Sequence, residues 1–118
     1  MSPSAIAIRP RFRLQIKQGV ALGPGKVQLL ESIAEQGSIS QAGKAMGMGY
    51  RTAWLLVDSM NRQFVGPLVV STKGGARGGG ATLTDLGRDV VSRYRTMERK
   101  ALNAIDGDIA GLQRLIRD

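Results

Sequence analysis

The stretch Ser38-Ile39-Ser40-Gln41-Ala42-Gly43-Lys44-Ala45-Met46-Gly47-Met48-Gly49-Tyr50-Arg51-Thr52-Ala53-Trp54-Leu55-Leu56-Val57-Asp58 decides how this chain folds. Ser38 or Ser40 suits the start of a helix carrying Ala42, Ala45 and Met46, because a serine oxygen accepts from the free N–H groups of a first turn. Gly47-Met48-Gly49 reads as a tight connection. From Tyr50 to about Phe64, Ala53, Leu56, Val57 and Met60 form the inward stripe of the next helix. Two helices across so short a turn make a helix-turn-helix. Ala42, Gly43 and Gly47 are the small residues that let them approach closely. Trp54 is expected to anchor the core, with its N–H satisfied there. Asp58 and Arg62, four apart, are expected to pair on the helix surface.

Working backwards, Pro24 suits the first turn of an earlier helix. Val27, Leu30 and Ala34, with Ile33 beside them, give its stripe to about Glu35, and Gly37 ends it. Arg11-Phe12-Arg13-Leu14-Gln15-Ile16-Lys17 alternates charged or polar with apolar residues. This predicts a strand with Phe12, Leu14 and Ile16 on its dry face. Residues 1–10 have no period and are expected to form a flexible N-terminal arm. Gly19, Gly23, Pro24 and Gly25 break the chain after the strand.

Working forwards, Gly66-Pro67 stops the third helix. Leu68–Ser71 and Ala81–Leu83 are short β-prone runs around the glycine-rich basic loop Lys73–Gly80, which predicts a hairpin wing. Thr84 caps a long last helix, and Asp85 is favourable in its first turn. Leu86, Val90, Tyr94, Met97, Ala101 and Ile105 recur along it every three or four residues. Gly107 is a place for it to end or kink, and Ile109, Leu112 and Ile116 carry the stripe onward. So long a helix exceeds what a small core can cover, so its stripe is expected to meet a second chain. The predicted fold class is mainly α with a small β hairpin: a winged helix-turn-helix domain over residues 11–83 and a dimerisation helix over 84–118.

The 118 residues fit one domain, and they carry a net charge of +8 from 17 basic and 9 acidic residues. That excess favours a polyanionic partner. There is no Cys and no His. Zinc or iron–sulfur sites of the usual ligand types and Ser-His or Cys-His nucleophilic catalysis are therefore unavailable, and no enzyme, metal or cofactor is expected. No apolar run is long enough for a membrane span, and no signal peptide is apparent, so a cytoplasmic location is expected.

A duplex major groove admits one rigidly held helix, and double-stranded DNA is the expected partner. At the start of the third helix Tyr50, Arg51 and Thr52 face outward. Arg51 can bond guanine in two places, and Tyr50 and Thr52 can reach phosphate or a thymine methyl. Ser38, Ser40 and Gln41 are expected to hold phosphate at the start of the second helix, and Lys73 and Arg77 to touch backbone or minor groove from the wing. Arg77-Gly78-Gly79 also matches a single RGG unit, which leaves RNA as a rival partner. The glycine-rich loop does not meet the Walker pattern.

Residues 23–101 resemble the N-terminal DNA-binding domain of ModE-type molybdenum-responsive bacterial regulators, which is related to the LysR-type domain. The resemblance is carried by Gly23-Pro24-Gly25-Lys26, Gly37-Ser38-Ile39-Ser40-Gln41-Ala42, Met48 to Asp58, the Gly74-to-Gly80 wing and Leu83-Thr84-Asp85-Leu86-Gly87. It implies a winged helix-turn-helix, a homodimer through the last helix, and recognition by the helix beginning near Tyr50. Gly49 stands where the family pattern has a serine cap, a substitution of small cost. The 17 residues after Ala101 are too few for the family's oxyanion-binding region, so this sequence is expected to bind DNA and not to sense molybdate itself. The rival from another class is a non-enzymatic interaction protein that pairs with a full-length family regulator and modulates its DNA binding.

Overall fold

The computed structural model describes residues 11–17, 19–72 and 79–117. The expected N-terminal arm and the wing tip with Lys73 and Arg77 lie outside them. The described elements run β1 (Leu14–Lys17), β2 (Val20–Leu22), α1 (Pro24–Gln36), α2 (Ile39–Ala45), α3 (Tyr50–Gln63), β3 (Val69–Thr72), β4 (Gly80–Leu83) and α4 (Asp85–Gln113). This is a winged helix-turn-helix. β3 and β4 pair antiparallel as the wing, with Val69 opposite Leu83 and Thr72 opposite Gly80.

The N-terminal strand has a partner that the sequence reading missed. Val20–Leu22 sits between glycines and reads as a break, yet it pairs antiparallel with β1. The register slips between Gln15 and Lys17, so Ile16 bulges out of the alternation. Phe12 and Leu14 pack on the core as expected, whereas Ile16 is 58% exposed.

α1 starts on Pro24 and ends at Gly37, whose left-handed φ of 75° lets its N–H bond the Ile33 carbonyl at 2.8 Å. Val27, Leu29, Leu30 and Ile33 are fully buried, while Ala34 turns outward. The inward face is thus rotated from the predicted one, bringing in Leu29 in place of Ala34. Ser38 caps α2, its Oγ accepting from Gln41 N at 2.9 Å. Gly43 and Ala42 lie at the crossing with α3: both are buried, and a Cβ on Gly43 would sit 3.0 Å from the Ala53 Cβ. Gly47 does something else. It has open space around it and a φ of 74°, so it serves the turn's left-handed backbone and not the helix spacing.

Ala53, Val57 and Met60 of α3 are buried with Leu68, Val69, Ala81 and Leu83 of the wing and its approach. Asn61 sews α3 to β3. Its Oδ1 accepts from Leu68 N at 2.8 Å and Val69 N at 3.1 Å, and its Nδ2 donates to the Val69 carbonyl at 3.0 Å. The expected Asp58–Arg62 pair is present at 2.8 Å.

Thr84 caps α4, accepting from Gly87 N at 2.9 Å and donating to the Pro67 carbonyl at 2.7 Å. The helix then runs unbroken through Gly107 for 29 residues, roughly 43 Å at 1.5 Å per residue. Its first half is fastened to the domain. Tyr94 is fully buried, stacks on Phe12 at 5.5 Å and donates its hydroxyl to the Phe12 carbonyl at 2.9 Å. Arg95 grips Glu31 of α1 with Nε at 3.1 Å and Nη2 at 2.6 Å, and reaches Glu98 with Nη1 at 2.8 Å. The hydrogen bond to Glu31, above all, holds the guanidinium charged, opposed by partial burial and helped by Glu98.

The structure therefore divides the stripe expected to meet a second chain. Val90 and Tyr94 lie in the chain's own core and Leu86 packs against it, because Phe12, α1 and β4 pack on this half of the helix. Val90 and Tyr94 are closed to a partner, while Leu86 is half-buried. Met97 and Ile105 are both exposed, and Ala101 between them is half-buried. The radius of gyration is 17.0 Å, against about 13.5 Å for a compact domain of this length, as a projecting helix requires.

Candidate nucleic-acid interface

Three parts of the chain converge on one face. The start of α3 presents Tyr50, Arg51 and Thr52, all exposed, while the next residue, Ala53, is buried. Arg51 and Leu55 point away from the stripe of Ala53, Val57 and Met60, as the helical repeat demands. No ion pair engages Arg51 among the described residues, so its guanidinium is available to a ligand. Its counterpart in the earlier turn is Ser40, exposed beside Gln41 at the start of α2. Ser38 is half-buried, and its oxygen is occupied by the cap. Its hydroxyl hydrogen is the part left for a ligand.

The wing reaches this face through the backbone. Ala81 N of β4 donates to the carbonyl of Gly37, the residue before the α2 cap, at 2.9 Å. The base of the wing is thereby pinned to the helix-turn-helix, and Ser40, Tyr50, Trp54, Ser71 and Gly80 line one cleft. Lys73 and Arg77, the expected wing contacts, lie outside the described residues.

Trp54 corrects the sequence reading. It is 44% exposed and lies on the flank of α3 facing the wing, where the core is already filled by Ala53, Val57 and the wing residue Leu68. Its spacing of four from exposed Tyr50 was the signal for this placement. The expectation of a core anchor rests on how commonly a lone Trp on a helix is one.

Electrostatics sharpen the picture of where the positive charge is usable. Arg88 pairs with Asp85 at 2.6 Å, Arg93 with Asp89 at 3.1 Å and Arg95 with two glutamates. Much of the basic run along α4 is thus engaged within the chain. Lys44 and Arg51 on the helix-turn-helix are exposed. Arg11, Arg13 and Lys17 near the N-terminus and Arg99 and Lys100 on α4 are exposed as well, so the excess of +8 is spread beyond the helix-turn-helix.

Among the described residues no helix is long and apolar enough to cross a membrane. Comparison with known proteins places this geometry in a lineage. The chain is 39% identical to the molybdenum transport protein ModE of Azotobacter vinelandii, over 90% of its own length and 43% of the relative's. It is 35% identical to the DNA-binding transcriptional dual regulator ModE of Escherichia coli K12, over 82% of the chain and 38% of that protein. With the molybdenum-pterin-binding protein MopA of Rhodobacter capsulatus it shares 33% identity, over 80% and 37%. The chain thus spans about two fifths of the length of these curated relatives. Residues 25–88, just over half of the chain, match the model of the bacterial regulatory helix-turn-helix proteins of the lysR family. The chain belongs to that family.

Proposed function

We propose that this chain is a DNA-binding unit of a transcriptional regulator that engages duplex DNA as a homodimer. The observation that carries the reading is the start of α3. Tyr50, Arg51 and Thr52 stand exposed on a helix whose opposite face is buried, beside the start of α2 and the pinned base of the wing. A helix held this way enters the major groove by its N-terminal residues. Arg51 bonds base edges, Tyr50 and Thr52 flank it, Ser40 and Gln41 with the Ser38 hydroxyl meet phosphate, and Lys73 and Arg77 extend the contact from the wing. The relatives named for molybdenum make molybdenum-linked genes the first place to seek operators.

Binding to pooled genomic fragments over a range of salt tests this directly. Arg51→Ala should cost about 1–3 kcal/mol on selected sites and relax their specificity. Lys73→Ala/Arg77→Ala should weaken every sequence and flatten the salt dependence, because it removes phosphate contacts. Failure to enrich any fragment, with Arg51→Ala behaving as wild type, would sink the reading.

The dimer rests on the distal half of α4. Met97 and Ile105 are each 38% exposed, and Leu112 is 61% exposed, on a helix that projects beyond its own core. An apolar stripe of this kind is covered by its symmetry mate in a two-fold dimer, which sets two half-sites about one helical turn, roughly 34 Å, apart. Ile105→Asp should convert dimer to monomer in sedimentation. The monomer's helicity should be unchanged, because no core contact is lost. An unchanged sedimentation coefficient would remove this part of the reading.

A further inference from the structure

The cleft between α3 and the wing carries an inference that rests on the DNA-binding reading and extends it. Its volume is about 260 Å³, and Tyr50 and Trp54 form one wall. Trp54 also lines the adjoining hollow toward Asn61 and Val70. Ser71 stands on the opposite wall, Ser40 joins at one end, and Gly79 and Gly80 leave the wing backbone bare. Ile39 and Ala81 complete the lining, which is thus aromatic and aliphatic surface with hydroxyls, and no charged side chain takes part among the described residues.

Duplex geometry says what passes through such a cleft. Major and minor grooves are separated by a single sugar–phosphate strand. With α3 in one groove and the wing in the next, that strand must cross between them. Its deoxyribose presents an apolar C–H face, with a phosphate on either side. The cleft offers the complement: aromatic faces for the sugar, and the hydroxyls of Ser40 and Ser71 with the indole N–H of Trp54 as donors for the phosphates. A large aromatic residue that the core does not need, on the wall facing the wing, is thereby given a partner.

We propose that Trp54, backed by Tyr50, is the apolar wall against which one deoxyribose of the bound duplex packs. It is an affinity determinant that grips the backbone and reads no base.

The chain has one tryptophan, so its emission reports this site alone. The experiment titrates the full chain with a mixed-sequence duplex at low ionic strength, where backbone contacts dominate. Binding is followed separately through the anisotropy of a dye on the DNA. As the anisotropy saturates, Trp54 should become several-fold less accessible to acrylamide. Trp54→Ala should weaken binding about tenfold on all duplexes while leaving the slope of affinity against salt unchanged, since no ionic contact is removed. Trp54→Phe should recover most of that loss. Far-UV circular dichroism on both variants verifies the fold, which a surface aromatic should not control. Saturating anisotropy with unchanged acrylamide access and wild-type affinity for Trp54→Ala would overturn the proposal while leaving DNA binding intact. If no duplex changes the anisotropy, the DNA-binding reading fails, and this one with it.

Discussion

Tyr94→Ala should lower the stability of the chain by about 4 kcal/mol, the cost of emptying a fully buried aromatic site. The ring is 0% exposed, and removing it deletes the Phe12 stack together with the hydroxyl bond that ties residue 12 to α4. It also strips the surface over which the Arg95 guanidinium lies, 5.8 Å from the ring centre. At this chain length the loss corresponds to a melting temperature lower by roughly 15 °C. Tyr94→Phe keeps the packing and loses only the hydroxyl bond, so it should cost about 1 kcal/mol. Thermal melts at several protein concentrations distinguish the core role from an interface role. A core residue lowers the melt equally at all concentrations, whereas an interface residue changes its concentration dependence. The second pattern would return Tyr94 to the dimer stripe.

Tyr94 also gives stability a pH dependence on the alkaline side. Burial, with a smaller push from Glu98, raises its hydroxyl above the ordinary value of 10.0, against weaker opposing pulls from Arg95 and Arg11. The hydroxyl is neutral in both states below that ordinary value, so the contribution is whole there. As pH rises further the unfolded chain ionises first, and stability declines until the folded-state value is passed. Tyr94→Phe should flatten that decline.

Gly87→Ala should destabilise by about 3 kcal/mol, although alanine is the better helix former by about 1 kcal/mol. The reason is a backbone contact. A methyl on residue 87 would overlap the Leu68 carbonyl, which cannot swing aside like the end of a side chain. The same carbonyl accepts from Thr84 N at 2.9 Å and from its hydroxyl at 3.3 Å, so pushing it away also breaks the start of α4. Because Leu68 leads into β3, the displacement reaches the wing, and DNA affinity should fall along with the melting temperature. Chemical denaturation of Gly87→Ala beside wild type measures the first effect. A stability equal to wild type would mean that the junction of wing and α4 can slide, contrary to the contact described.

Much of the architecture was legible in the residues. Period and caps located α1, α2, α3 and the wing strands, since each is a local pattern: Pro24 at a helix start, Ser38 or Ser40 and Thr84 as caps, Gly37 as a stop. Three misreadings share one cause. Alternation assigns Ile16 to the dry face because it assumes a regular strand, whereas the bulge between Gln15 and Lys17 is set by pairing with β2. Ala34 falls on the expected stripe and Leu29 does not, because a stripe can be drawn at several rotations of one helix. Trp54 is expected in the core because a lone Trp on a helix is commonly an anchor there, but the space inside is taken by other side chains.

The sequence by itself determined the order and kind of the elements other than β2, the basic excess and the outward-facing start of α3, because these depend on neighbours within a turn or two. Only the tertiary structure decided which half of the α4 stripe is free. Val90 and Ile105 occupy similar positions in the pattern, yet Val90 is 8% exposed and Ile105 38%. The difference is made by Phe12, α1 and β4 packing on the first half of the helix, contacts between segments far apart in the chain. The pairing of Arg95 with Glu31 and the clamp of Asn61 on β3 arise in the same way. So does the cleft that exposes Trp54 to the wing. Periodicity ranks the faces of an element by polarity, but what covers each face is fixed only when all the elements compete for the same core.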